Sequence, residues 1–344
     1  MLRRIRTLTA ILSMAALAAA VGTRAHAQTD VPIEKMKVKM SHVPSFVYAG
    51  VYAALDRGYF AKRGLEVELV IVRGGDTTYQ VAGGTLEFAG GSPDSAFFNG
   101  LDRKLPVMAV GSLALNNGTE STTPLMLRKD LADSGKVKTV ADLKSMKVAN
   151  LAPGGITEYL TALALKAGGL DIKDVDYITP MGFGQMADAL KTKTIDAAVL
   201  AEPFATLTEK SGIAVRLNTK HDLNEQVLFI KTNREFAQKH PNVVVNFLIA
   251  YLQGSRDFAG DAFLKPDNVA LLEKYTRASA EVIKAAPVPV LPADGRFNMD
   301  SIMAQQRFHM SRGKLTYKEP IETDKFIDQS YLRRALAFVG PHKP

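Results

Sequence analysis

Small polar, aromatic and acidic residues gather in this sequence just beyond runs that read as β-strands, and any chemistry is expected there. Ser45, Phe46 and Tyr48 follow the alternating run 36–41. Arg73, Gly75, Asp76 and Thr77 follow the run 65–72, Ser92 and Asp94 follow 86–90, and Thr119 lies in the polar loop 116–123. Further along come Gly154, Gly155, Ile156 and Thr157, then Phe183, then Glu202. In open α/β sheets a ligand lies beyond the carboxyl ends of the strands. Glycine lets backbone and ligand approach closely. A helix that begins there presents unpaired N–H groups and partial positive charge. Two or three such helix starts, converging, could hold a carboxylate or sulfonate without any lysine.

Each of these residues also has a purely structural use. Ser92 and Thr157 could cap helices, and Asp76 or Thr77 is a natural N-cap for the helix opened by Gly74-Gly75. Phe46 and Tyr48 could pack in a core or hinge, and Arg73 could be solvated or salt-bridged.

The residue inventory removes several reaction classes. There is no cysteine, so thiolate metal sites, cysteine nucleophiles, disulfides and a lipid-modified cysteine are all excluded. The six histidines show no paired spacing, and no metal or other cofactor is expected. Gly182-Phe183-Gly184-Gln185-Met186-Ala187 fits a dinucleotide-binding pattern, follows a strand and has Glu202 about 20 residues on, but the motif alone is weak and expected export opposes it. Gly90-Gly91-Ser92-Pro93-Asp94 lacks the last glycine of a nucleophile elbow.

The first 27 residues read as a removable leader. Arg3, Arg4 and Arg6 precede the short apolar run 8–21, and Ala25-His26-Ala27 gives a small-x-small cleavage pattern, so cleavage after Ala27 and export to the periplasm are expected. The leader holds four of the 43 basic residues and none of the 35 acidic ones, so the formal charge of +8 falls to +4. That mild excess, without a basic block, does not fit a nucleic-acid partner.

The elements that must position the candidate residues follow from hydrophobic periodicity. Strands are expected at 36–41, 65–72, 86–90, 106–115, 124–128, 146–150, 175–179, 195–200 and 226–231. Helices fall at 48–62, after Gly74-Gly75, after Ser92, at 156–168 and 184–192. Pro241 opens another, with Val244, Phe247, Leu248 and Tyr251 on one face. This alternation predicts an α/β protein with parallel sheets. It restarts after the loop 116–123, which suggests two lobes: 28–122 with 222–344, and 123–221. The crossings would lie near 120–128 and 220–231.

The motifs in these loops resemble one family. Gly58-Tyr59-Phe60-Ala61-Lys62-Arg63-Gly64-Leu65, Gly90-Gly91-Ser92-Pro93-Asp94, Pro153-Gly154-Gly155, Ile195-Asp196-Ala197-Ala198-Val199 leading to Glu202-Pro203, and His240-Pro241 stand in its order. It is that of the substrate-binding proteins of nitrate-, sulfonate- and taurine-type ABC importers, which also includes binders of thiamine-precursor pyrimidines. The resemblance implies a type II periplasmic-binding-protein fold: two α/β lobes, two crossing strands and a ligand cleft. It also implies a small-molecule ligand, a membrane permease as partner, and no catalysis; a monomer is expected. Ala201 stands where sulfonate and taurine binders often carry tryptophan, which argues against taurine and simple alkanesulfonates. Phe46, Tyr48 and Phe183 could instead flank a flat ring, and Glu202 could meet an amine, amide or hydroxyl. The ligand classes left are a small organic anion (a sulfonate or aromatic acid) or a nitrogen heterocycle. The alternatives are a ligand-presenting sensor, a pyrimidine-forming enzyme of the same fold, and a regulator's effector domain, the last opposed by the leader.

Overall fold

The alternating run near the start becomes strand β1 (Met36–His42), in which Val38 and Met40 enter the core while Lys37 and Lys39 face water. The computed structural model describes residues 30–72, 74–116, 120–219 and 224–342. The expected leader, Arg73 and Thr119 lie outside the described residues. From β1 a 3₁₀ turn (Phe46–Tyr48) leads to α1 (Ala49–Asp56), α2 (Tyr59–Lys62), β2 (Leu65–Ile71), α3 (Asp76–Ala82), β3 (Phe88–Gly91), α4 (Ser95–Asp102) and β4 (Val107–Leu115). The middle of the chain gives β5 (Leu125–Arg128), α5 (Lys129–Asp133), β6 (Lys147–Ala149), α6 (Ile156–Ala167), β7 (Asp176–Ile178), α7 (Phe183–Lys191), β8 (Ala197–Val199), α8 (Phe204–Lys210) and β9 (Ala214–Arg216). The return supplies β10 (Gln226–Asn233), α9 (Arg234–Lys239), α10 (Pro241–Arg256), α11 (Pro266–Thr276), α12 (Ala280–Ala285), α13 (Met299–Ser311) and α14 (Gln329–Val339).

Two five-stranded sheets result, ordered β2-β1-β3-β10-β4 and β7-β6-β8-β5-β9. Each sheet with its helices is a lobe. The pattern is the same in both. A parallel trio stands beside one antiparallel strand, β10 or β5, and that strand is the first entered after each crossing between sheets. Residues from Val31 onward form one compact unit. Among the described residues no helix is long and apolar enough to cross a membrane.

The first lobe is centred on α10. Its expected single apolar face is an underestimate: Val243 to Leu252 are buried on every side, because the helix is packed between the sheet, α1 and α14. Phe247 stacks on Phe88 with ring centroids 3.8 Å apart. Close approach of α10 to α1 requires glycine, since a Cβ on Gly254 would lie 2.0 Å from the Gly50 carbonyl oxygen. Strand β4 is an edge by order yet fully buried. Its outer side is covered by the C-terminal segment, through bridges Ala109 to Ile327 and Leu115 to Val290.

Local departures from the expected elements have simple causes. The helix expected over 48–62 is broken at Gly58, which takes φ of 70°. Asp76 and Thr77 do not cap α3: Gly75 holds that position, and Thr77 Oγ1 donates to Gly74 O at 2.9 Å. Asp94, not Ser92, caps α4 by accepting from Phe97 N at 2.7 Å. Thr157 does not cap α6, since its Oγ1 donates to Asn150 Oδ1. The short edge strand β9 carries too few residues for a periodic signal.

Candidate functional site

The carboxyl ends of β1, β2 and β3 face those of β6, β7 and β8, and side chains from both lobes meet between them. Ser45 Oγ, beyond β1, donates to Glu202 O, beyond β8, at 3.0 Å. Ser95 N, the first amide of α4, donates to Gly154 O at 2.8 Å. Away from these loops, Lys210 pairs with Glu281 at 2.7 Å, Arg312 pairs with Asp171 at 2.9 Å, and the rings of Tyr159 and Phe308 meet edge to face. The lobes are therefore in contact on several sides.

Between the same strand ends lies a cavity of about 390 Å³. The first lobe contributes Val43, Pro44 and Ile71, and the second contributes Leu151, Gly182, Phe183, Gly184, Gln185 and Phe204. Phe183 and Phe204 tilt against each other, with centroids 5.9 Å apart. Among the described residues no charged side chain lines it.

The sequence-selected residues divide into three groups. Phe183 lines the cavity, while Ser45, Gly154 and Glu202 carry contacts between the lobes. Gly154 has φ of 69°, and a Cβ there would lie 2.0 Å from Ser95 Oγ, so only glycine fits this seam. Gly155 and Ile156 open α6 beside it, and Thr157 is buried against Asn150. The second group braces the first-lobe face: Gly75 packs on Ala96, Thr77 is buried, and Ser92 Oγ contacts Asp94 Oδ2 at 3.4 Å. Asp76 is exposed on the first turn of α3. The third group, Phe46 and Tyr48, points inward. Phe46 packs on Phe263, and Tyr48 OH donates to Gly90 O at 3.0 Å, so neither ring lines the cavity.

The buried charges are satisfied internally. Asp94 Oδ2 meets Lys231 Nζ at 3.4 Å, and Lys231, wholly buried, also donates to Thr78 Oγ1. Burial holds the Lys231 ammonium below the usual lysine range, and Asp94 opposes that shift. Glu158 Oε2 accepts from Gly154 N at 2.8 Å. Glu202 Oε1 pairs with Arg216 at 2.5 Å, and Oε2 accepts from Thr206 N. Burial pushes the Glu202 carboxyl up, with Arg216 pulling it back. Its two oxygens thus already have partners within the second lobe. Among the described residues no group of histidine and acidic side chains is placed to hold a metal ion.

Residues 45–262 match the family described as NMT1/THI5 like. The chain belongs to that family. A curated relative, the putative binding protein YtlA of Bacillus subtilis, is 31% identical over 183 residues, covering 52% of each chain. The chain spans about half the length of the curated relatives it matches. The periplasmic nitrate-binding protein NrtA of Synechocystis shares this NMT1/THI5-like chain's fold with a TM-score of 0.75 at 17% identity, covering 88% of this chain and 89% of that one. The alkanesulfonate-binding protein SsuA of Xanthomonas axonopodis, solved with MOPS bound, gives 0.70 at 15% identity, covering 86% and 99%. The fold is thus that of the periplasmic binding proteins, as the resemblance implied.

Phe204, Lys231 and Arg216 were not singled out in the sequence. Phe204 directly follows Glu202-Pro203, so an aromatic residue one step past a selected loop was the available signal. Lys231 ends an otherwise apolar run, QVLFIK, and a lysine in such a strand signals a buried partner.

Proposed function

We propose that this protein is the solute-binding component of an ABC importer. It captures a small organic anion or a nitrogen heterocycle between its lobes and presents it to a membrane permease. The observation that carries this reading is the pair of contacts Ser45 to Glu202 and Ser95 to Gly154, which join the end of β1 to that of β8 and the end of β3 to that of β6 beside one cavity. Contacts of this kind exist only while the lobes are together, so they bias an open–closed equilibrium toward closure. Moving that equilibrium from 99:1 open to 99:1 closed takes about 5.5 kcal/mol of differential affinity. A micromolar ligand supplies about 8 kcal/mol in total. The cleft can therefore drive its own closure.

The relatives' names support the reading: nitrate binding for NrtA and alkanesulfonate binding for SsuA. A shared fold does not decide between binding and turnover. The acids Asp94, Glu158 and Glu202 are each engaged by an internal donor, which favours a structural use over proton transfer. Action in the periplasm as a monomer, after cleavage behind Ala27, completes the proposal.

The test is a thermal-shift and calorimetric screen of the purified protein against sulfonates, aromatic acids, nitrate, bicarbonate and pyrimidines. A ligand at a hundredfold excess over its Kd stabilises by about 2.7 kcal/mol. A saturable shift without chemical change of the solute is expected. Turnover of a bound compound would replace the binding reading with an enzymatic one.

A further inference from the structure

We infer that the solute carries a planar ring, seated in the chamber between Val43, Pro44 and Ile71 of one lobe and Leu151, Phe183 and Phe204 of the other. This rests on the reading of the protein as a solute binder and narrows what it binds.

The first support is the lining. The chamber wall is mostly apolar: among the described residues Gln185 is its one polar side chain, and it has no charged one. A bare oxyanion placed there would lose its hydration and gain, among the described side chains of the wall, only the Gln185 amide as a donor. Other donors at the strand ends already have acceptors: Ser95 N on Gly154 O, Phe97 N on Asp94, Gly154 N on Glu158, and Lys231 on Asp94 and Thr78. The site therefore rewards removal of apolar surface from water more than capture of charge alone.

The second support is Ile71. It ends the edge strand β2 and is 58% exposed, a larger fraction than the other exposed large apolar side chains among the described residues, yet it forms part of the chamber wall. Across from it, Phe183 and Phe204 present two rings inclined by 35°. Inclined rings suit offset or edge-to-face contact with a third ring. The third support is size. An apolar cavity of about 150 Å³ accepts benzene. The 390 Å³ chamber thus has room for one ring with substituents or for two fused rings.

The experiment measures affinity by calorimetry for two ring panels and one ring-free panel. The ring panels are aromatic carboxylates and sulfonates, led by benzoate and benzenesulfonate, and neutral nitrogen heterocycles, led by methylpyrimidines. The ring-free panel is nitrate, bicarbonate and methanesulfonate. Each is run with the wild type, Phe204→Ala, Leu151→Trp to fill the chamber, and Ile71→Ser, an exposed change that leaves folding intact. A ring compound should bind, losing about tenfold in affinity with Phe204→Ala. It should weaken with Ile71→Ser and fail with Leu151→Trp. Which ring panel responds separates an anionic solute from a neutral one. If a ring-free anion binds best and the three variants leave it unchanged, the ring inference falls while the binding-protein reading stands. If no panel binds, both fall.

Discussion

The amide of Ser95 donates to the carbonyl of Gly154 across the lobe boundary, joining the start of α4 to the start of α6. Gly154 is held from the other side as well, because its own N–H bonds the Glu158 carboxylate. Gly154→Ala would place a Cβ against Ser95 Oγ and force an alanine into the left-handed region, which costs about 1–2 kcal/mol before any clash. The expected result is a folded protein whose solute affinity falls tenfold or more. Calorimetry beside a thermal melt checks this, and unchanged affinity would show that the seam does not matter for capture.

Lys231 is the brace beneath that seam. It holds Asp94, and Asp94 in turn caps the helix that supplies Ser95 N. Removing one member of a buried pair typically costs about 3–5 kcal/mol. Lys231→Met is expected to destabilise by about that much in urea unfolding, whereas Lys37→Met, at an exposed pair with Glu66, should be nearly silent.

The C-terminal end of α13 reaches the second lobe through residues that do not line the cavity. Phe308 packs in that lobe's core and meets Tyr159 edge to face, and Arg312 pairs with Asp171. Phe308→Ala is expected to weaken solute binding several-fold although it touches no solute, by favouring the open state. Arg312→Ala should do far less, since its partly exposed pair contributes less than about 1 kcal/mol. Equal effects of the two variants in calorimetry would contradict this ranking.

Two buried histidines give a pH signature. Burial holds His42 and His309 below the ordinary value of 6.5. The unfolded chain therefore binds more protons than the folded one between the folded values and 6.5. Stability from these groups is full above pH 6.5 and is lost as pH falls from there. Each can contribute a slope of at most about 1.4 kcal/mol per pH unit. Urea unfolding from pH 7.5 to 5.5 should show that loss, and His309→Leu should shrink it. An identical slope in the variant would refute the assignment.

Much of this architecture was legible in the sequence because strand and helix periods leave long traces. The alternation in β1 and the apolar run of β4 name their strands directly. The site was harder. Strand-end loops can be located from glycine and proline, but not the direction in which their side chains turn. The 3₁₀ turn over Phe46–Tyr48 sends both rings inward, although their position beyond β1 is shared with cavity residues Val43 and Pro44. Glu202 lies at the lobe boundary as expected, yet its pairing with Arg216, which occupies one of the oxygens expected to meet a solute, was invisible to sequence reading because Arg216 lies in a later strand. Contacts between residues distant along the chain, such as Lys231 to Asp94, leave no local periodic mark.

If the lobes close around a solute, the distance across their boundary must change on binding. The chain has no cysteine, so Lys210→Cys with Glu281→Cys places two labels across the lobe boundary on an otherwise unlabelled background. Pulsed spin-label measurements should give a long or broad distance distribution without solute and one short, narrow population at saturation. The same distribution in both conditions, with a bound solute confirmed by calorimetry, would contradict the account.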